Sequence, residues 1–286
     1  MIHTLGLAIA FSPTAEMMLA EAVYLARQFN AKLVLIHAGP HGQNEEQFMQ
    51  RLCQSRQIDP ASIKIRWKEG NAVKAILQAC AEEKVDLLIA GALRREKLIQ
   101  YYIGTIARQI MRKASCSVLI LTHPSLTPRG FRNIVLEGVD NQYFRKFIDL
   151  ALRFGDRDPP HPFWLHVVRE VKMYGLAMSF YDQASEDEHE RMRQDLVREE
   201  INKVEQQLRF LPRSQVKVNI KILSGKSGFE LVQFARKKNA DLVMVSAPER
   251  RFGLLDRIFT HDVEYVFADL PGNLLIVHPD KEDSHA

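Results

Sequence analysis

Residues 63–124 align without a gap on residues 218–279 at a constant offset of 155 (225 − 70 = 155), so the chain has to fold one pattern twice. Gly70 meets Gly225, Asp86 and Leu87 meet Asp241 and Leu242, and Thr105 meets Thr260. His123 and Pro124 meet His278 and Pro279, and 12 of the 62 pairs are identical. Identity at that level carries little alone. The weight lies in the ungapped length and in matched apolar patterns.

Those patterns alternate between two periods. Residues 5–10, 32–37, 86–90 and 117–121 are short apolar runs, the kind buried on both faces in a parallel sheet, and residues 63–67 alternate apolar with charged as a further strand. Between them lie stretches with helical spacing: Leu19, Ala22, Val23 and Ala26 behind a Ser12 cap; Phe48, Met49 and Leu52; Val73, Ile76, Leu77 and Cys80; Ile106, Ile110 and Met111. Residues 122–132 contain Pro124, Pro128 and Gly130 and read as a linker. The pattern then restarts. Strands are expected at 133–136, 163–167, 216–222, 241–245 and 273–277, with helices at 141–154, 186–210 and 227–238. Strictly alternating elements predict an α/β fold made of two tandem, doubly wound, five-stranded parallel-sheet domains, at 1–124 and 131–286. Residues 280–286 read as a polar, disordered tail.

Composition narrows the function classes. No apolar run in the 286 residues approaches the length of a membrane span, and the N-terminus has no basic stretch ahead of its apolar patch. Three widely spaced cysteines, Cys53, Cys80 and Cys116, predict a reducing, cytoplasmic setting without a disulfide framework. A net charge of +4 with interspersed signs makes no case for a nucleic-acid partner.

One stretch has the chemistry of a ligand site. Gly91 follows the fourth strand and is expected to turn the chain sharply, while Gly104 and Thr105 open the next helix. Unpaired N–H groups and a hydroxyl at a helix start suit a phosphate. The spacing resembles the G-x2-G-x9-G-[S/T] nucleotide loop of the universal stress protein family in its tandem form. Gly91, Gly104 and Thr105 fill three of the four positions, and Arg94 stands at the second glycine. The resemblance implies a Rossmann-like fold of the adenine nucleotide alpha hydrolase type. It also implies ATP or AMP held by Ala90, Gly91, Arg94, Gly104, Thr105 and Ile106, with no metal beyond Mg accompanying ATP. Domains packed through their last strands, and a monomer or a homodimer of tandems, follow from the same resemblance.

Two departures from the family pattern are visible. Ile9, Ala10, Phe11 and Ser12 stand where nucleotide-binding members resemble V-D-G-S, so the aspartate that contacts adenine or ribose is replaced by Ala10. In the second half Ser246, Glu249 and Phe259 replace all three glycines, which implies a degenerate loop and a structural or interaction role. Asp140 lies near the second half's expected aspartate. The expected function is therefore a stress-response protein that binds an adenine nucleotide in its first domain. The alternatives are a nucleotide-free interaction module related to transporter-appended domains, and a slow ATPase with Thr105 and Arg94 on the phosphates.

Other motifs read as structure. Ser224 to Gly228 imitates a P-loop, but Ile220 occupies the required leading glycine position. His189 and Glu190 lack the second histidine of a zinc helix, because Arg193 occupies it. His37 and His166 end equivalent strands and are expected to be hydrogen-bonded there. No nucleophile–base set or carboxylate pair suggests catalysis.

Overall fold

The structure is a computed structural model that describes residues 2–59, 63–94, 101–102, 104–139, 143–156, 162–171, 186–212, 215–223, 228–247 and 270–278. It divides into two compact units. The first holds the described residues up to Arg129 together with those of 245–247 and 270–278, and the second spans residues 130–244.

The first unit runs β1 (Thr4–Ala8), α1 (Ala15–Phe29), β2 (Lys32–Ala38), α2 (Gln43–Ser55), β3 (Lys64–Lys68), α3 (Ala72–Glu82) and β4 (Leu87–Gly91). A hairpin of β5 (Leu93–Arg94) and β6 (Tyr101–Tyr102) follows, then α4 (Thr105–Lys113) and β7 (Ser117–Leu121). The strands lie in the order β7-β4-β1-β2-β3, all parallel. Leu5, Leu7, Leu35, Ile36, Leu87, Leu88, Ile89, Val118, Leu119 and Ile120 are each fully buried. Continuous burial along central strands requires helices on both faces, which is why these runs show no polar alternation. Successive strands are added outward from β1 first on one side and then on the other, so a crevice opens at the carboxyl ends of β1 and β4.

The second unit repeats the plan with β8 (Asn133–Glu137), α5 (Phe144–Phe154), β9 (Phe163–Glu170), α6 (Glu186–Gln207), β10 (Val216–Leu223), α7 (Phe229–Lys237) and β11 (Leu242–Ser246). Its order β10-β9-β8-β11 copies β3-β2-β1-β4. The offset of the sequence repeat carries β4 onto β11 residue for residue, since 87 + 155 = 242 and 91 + 155 = 246. Phe144, Phe147, Ile148, Ala151 and Phe154 bury one face of α5, as its spacing predicts. The charged α6 buries Val204, and Glu200 on its flank accepts a 2.9 Å ion pair from Arg169.

A pair of aspartates shows the duplication in atomic detail. One carboxylate oxygen of Asp86 accepts the backbone N–H groups of His3 at 2.7 Å and Thr4 at 2.9 Å. Asp241 does the same for Arg132 at 2.8 Å and Asn133 at 2.9 Å. Each aspartate thus anchors the entry of the first strand of its own unit. Removing either carboxylate leaves two strand-end donors without that acceptor, so Asp86→Ala and Asp241→Ala are each expected to cost about 1–3 kcal/mol. Urea denaturation of the two variants checks the magnitude, and losses below a few tenths would remove the anchoring role.

Residues 273–277 form the last strand, β12 (Asn273–Val277), as the sequence predicts; the Ala247 N–H, just after β11, donates to its Val277 carbonyl at 2.8 Å, and β12 also pairs antiparallel with β7, with Leu274 opposite Ile120 and Ile276 opposite Val118. Two features differ from the sequence expectation. Ser12 does not cap α1. The helix begins behind Thr14, and the Ser12 hydroxyl instead meets that of Thr14 at 3.1 Å, because the Ser12 carbonyl already closes a turn onto the Ala15 N–H. The linker is not merely a spacer at its far end: Phe131 bridges Gly155, and a Cβ on Gly130 would lie 2.5 Å from the Asp156 backbone. Only glycine permits that approach. The tail at 280–286 lies outside the described residues.

Candidate functional site

The β5–β6 hairpin explains the long spacing between the motif glycines. Leu93 pairs with Tyr102 and Arg94 with Tyr101, so the chain leaves the sheet after Gly91 and returns to Gly104 beside its point of departure. Ala92 N–H donates to the Leu121 carbonyl at 2.8 Å and fixes the outgoing foot on β7. Gly104 then serves as N-cap of α4 with extended backbone (φ −65°, ψ 164°) and no side-chain cap. The first-turn N–H groups of a helix have no partner inside it, so this end presents donors and the positive end of the helix dipole.

These elements enclose a cleft of about 560 Å³ in the first unit. Such a volume lies within the range of small-molecule sites. Ala90, Gly91, Gly104, Thr105 and Ile106 all line it, so five of the six residues singled out in the sequence come together. Arg94 is placed by its backbone in the hairpin, and its side chain lies outside the described structure. Ala8, Ile9 and Ala10 bring the end of β1 to the opposite wall, and Met18, Ile36 and Ile76 supply an apolar floor. Among the described residues that line the cleft none carries a charge. The polar side chains are the hydroxyls of Ser12, Thr14 and Thr105.

Gly91 is present for a different reason than its sequence context suggests. It closes β4 without a left-handed backbone, and a Cβ there would meet only the Met18 side chain at 3.6–3.8 Å, an ordinary contact. Gly91→Ala is therefore expected to leave the melting temperature within about 2 °C of wild type, since exposed or well-accommodated substitutions stay within about 0.5 kcal/mol.

Ser12 and Thr14 were not assigned to this site by the sequence. The signal was there, because both follow the first strand of a doubly wound sheet on the side where the crevice opens. His37 is not a lining residue. Its Nδ1 lies 3.1 Å from the Ile9 carbonyl and its ring stacks on Phe11 at 4.2 Å, the hydrogen-bonded role expected of a strand-end histidine. In the second unit His166 Nδ1 meets the Asn219 amide at 3.0 Å. Burial, followed by the nearby Lys238, lowers its pKa to about 4.

The second half's counterpart loop is only partly described. Ser246 and Ala247 are seen, whereas Asp140, Glu249, Phe259, Thr260 and the P-loop-like residues 224–227 lie outside the described residues. The N-terminus of α7 is occupied by the chain itself: Gly228 N–H donates to both carboxylate oxygens of Glu170, at 3.0 and 3.1 Å. Described groups of histidine, cysteine, aspartate and glutamate include no cluster able to hold a metal ion. No described helix is long and apolar enough to cross a membrane.

Residues 38–122 match the universal stress protein family. Among solved structures, a functionally unknown protein from Pseudomonas aeruginosa PAO1 superimposes with a TM-score of 0.71 at 16% identity, over 98% of this chain and 93% of its own. A universal stress protein from Archaeoglobus fulgidus DSM 4304 superimposes with a TM-score of 0.58 at 13% identity, over 96% of this chain and 98% of its own. At such identities the likeness is one of fold. No curated protein sequence matches the chain.

Proposed function

We propose that the chain, whose residues 38–122 match the universal stress protein family, binds an adenine nucleotide, ATP or AMP, in its first unit as a sensor rather than a catalyst. The observation that carries this reading is the uncapped N-terminus of α4 opening, with Gly104 and Thr105, into the 560 Å³ cleft. A phosphate there would accept from first-turn N–H groups and from the Thr105 hydroxyl. The apolar floor of Met18, Ile36 and Ile76 suits a purine face. Any Mg²⁺ would arrive with ATP, since among the described residues the lining offers no carboxylate.

Ala10 sets the terms of recognition. At the end of β1 it provides no acceptor for a ribose hydroxyl or an adenine amine, so affinity has to come from the phosphate end and from burial of the base. Among the described residues the lining holds no charged side chain to activate a water molecule, which supports binding over hydrolysis. The second half acts in this reading as a structural or interaction domain, and the protein works in the cytoplasm as a monomer or homodimer without nucleic acid.

Equilibrium dialysis against labelled ATP, with phosphate release followed in the same samples, tests the reading. The expected result is saturable retention with release no faster than in buffer. Absence of retention overturns nucleotide binding, and release above background overturns the sensor role in favour of an ATPase.

A further inference from the structure

We infer that β10, the outer strand of the second unit, takes an extended peptide of alternating acidic and apolar residues as a further strand. In the first unit the outer strand β3 is neutralised from within. Lys64 and Arg66 both pair with Glu83, Lys64 at 2.7 Å, and Lys68 pairs with Glu82 at 2.8 Å. The repeat offset carries Arg66 onto Lys221, and it carries Glu82 and Glu83 onto Lys237 and Lys238 (82 + 155 = 237, 83 + 155 = 238). The acids that quench the first edge are lysines in the second copy. Lys217, Lys221 and Lys237 are exposed, and Lys238 is half-buried. Among the described residues no carboxylate pairs with any of the four.

These cations sit on a row of rings. Lys217 Nζ lies 5.5 Å from the Trp164 ring centroid, and Trp164 stacks on His166 at 5.7 Å. His166 meets Phe234 edge-on at 5.8 Å, and Lys238 Nζ lies 5.9 Å from the Phe234 ring. Side chains alternate across a strand, so Lys217 and Lys221 face this row while Val218 and Ile220 face away. On that other side a groove of about 580 Å³ runs beside the end of α6, lined by Leu208, Leu211, Val218 and Ile220. Strand β10 is eight residues long and ends the sheet, so among the described residues alternate N–H and C=O groups along it have no strand beyond them. An added strand turns its side chains to the two faces by turns, carboxylates to the lysines and apolar groups to the groove. A second copy of β10 fits poorly, because it would bring its own lysines to the same face. Nor does the row fit nucleobases, since Lys217 and His166 already occupy the Trp164 ring. The second half thereby gains a partner of stated chemistry, whether or not the first unit binds a nucleotide.

The full-length protein is titrated into a fluorescein-labelled peptide of alternating glutamate and valine, as long as β10, with anisotropy as the readout. Saturable binding is expected. Lys217→Glu combined with Lys221→Glu weakens it about tenfold or more at an unchanged melting temperature. Lys74→Glu, the same charge change on α3 of the first unit, leaves it as in wild type. Strand addition has its own signature: N-methylation of one alternate set of peptide amides abolishes binding, and N-methylation of the other set does not. Five results would each overturn the assignment: no saturable binding, equal binding of a lysine–valine peptide, equal effects of the two N-methylated sets, a loss with Lys74→Glu that matches the double variant, or tighter binding of a single-stranded thymidine oligonucleotide. The last would replace the peptide with nucleic acid.

Discussion

A fragment ending at Arg129 is expected not to persist as a stable monomer. Its sheet would end at β7, whose Val118, Leu119 and Ile120 are fully buried in the whole chain. In the whole chain β12 covers that strand. Leu274, Leu275 and Ile276 are fully buried and Val277 is 2% exposed. Burying such side chains contributes about 1.5–3 kcal/mol each, so four of them contribute roughly 6–12 kcal/mol. That is comparable with the whole stability of an ordinary domain, about 5–15 kcal/mol. Polar contacts add to the seam: the Asn273 side-chain carbonyl accepts from Thr122 N–H at 2.8 Å, and Ser117 Oγ accepts from His278 N–H at 3.1 Å. An uncovered β7 would also present a flat apolar edge, which recruits other chains. Size-exclusion chromatography and thermal unfolding of the fragment check this. A monomer that melts cooperatively at the temperature of the intact chain would contradict it.

Glu21→Gln is expected to stabilise the protein at alkaline pH and to have little effect at acid pH. Glu21 is 9% exposed, and its Oε1 accepts the Ser125 N–H at 2.9 Å. Burial pushes its pKa from 4.5 up to about 7, against the opposing pull of the Ser125 N–H. The sign follows from linkage. Below pH 4.5 the carboxyl is neutral in both folded and unfolded chains and costs nothing. Between 4.5 and about 7 the unfolded carboxyl ionises while the folded one holds its proton, so stability falls with rising pH by about 1.4 kcal/mol per unit. The accumulated loss above pH 7 is about 3 kcal/mol. Glutamine keeps an acceptor for Ser125 and has no such slope. Urea denaturation of both proteins at pH 4.5 and pH 8 should give a difference that grows by about 2–3 kcal/mol. An equal difference at the two values would place the Glu21 carboxylate in a solvated environment.

The strands and helices were legible because their apolar periods are strong and occur twice. The offset of 155 places β11 on β4, since burial on both faces leaves the same continuous apolar run in each copy. What the sequence concealed depends on contacts distant in the chain. Nothing local in Asn273 to Val277 shows that this strand also covers β7. The hairpin between Gly91 and Gly104 was hidden because its two-residue strands are too short to show a period. Gly91 was recognised by position but credited with a turn it does not make. Glu21 carries no sequence signal that separates it from other helix charges, and its burial shows only in the fold, where the Ser125 N–H, 104 residues away, reaches its carboxylate. In the ligand site, the glycines and Thr105 were legible through the family spacing, whereas Ser12 and Thr14 join it by topology alone.

Calorimetric titration of AMP into the wild-type protein and into Gly104→Phe tests the central claim most directly. The substitution imitates the second half, where Phe259 occupies the equivalent position. Gly104 has an extended backbone that phenylalanine can adopt, so the change fills the approach to the α4 N-terminus without a conformational cost. The account predicts saturable heat for the wild type and none for a Gly104→Phe protein whose melting temperature is unchanged. No heat from the wild type with AMP or ATP, or equal heat from both proteins, would contradict it.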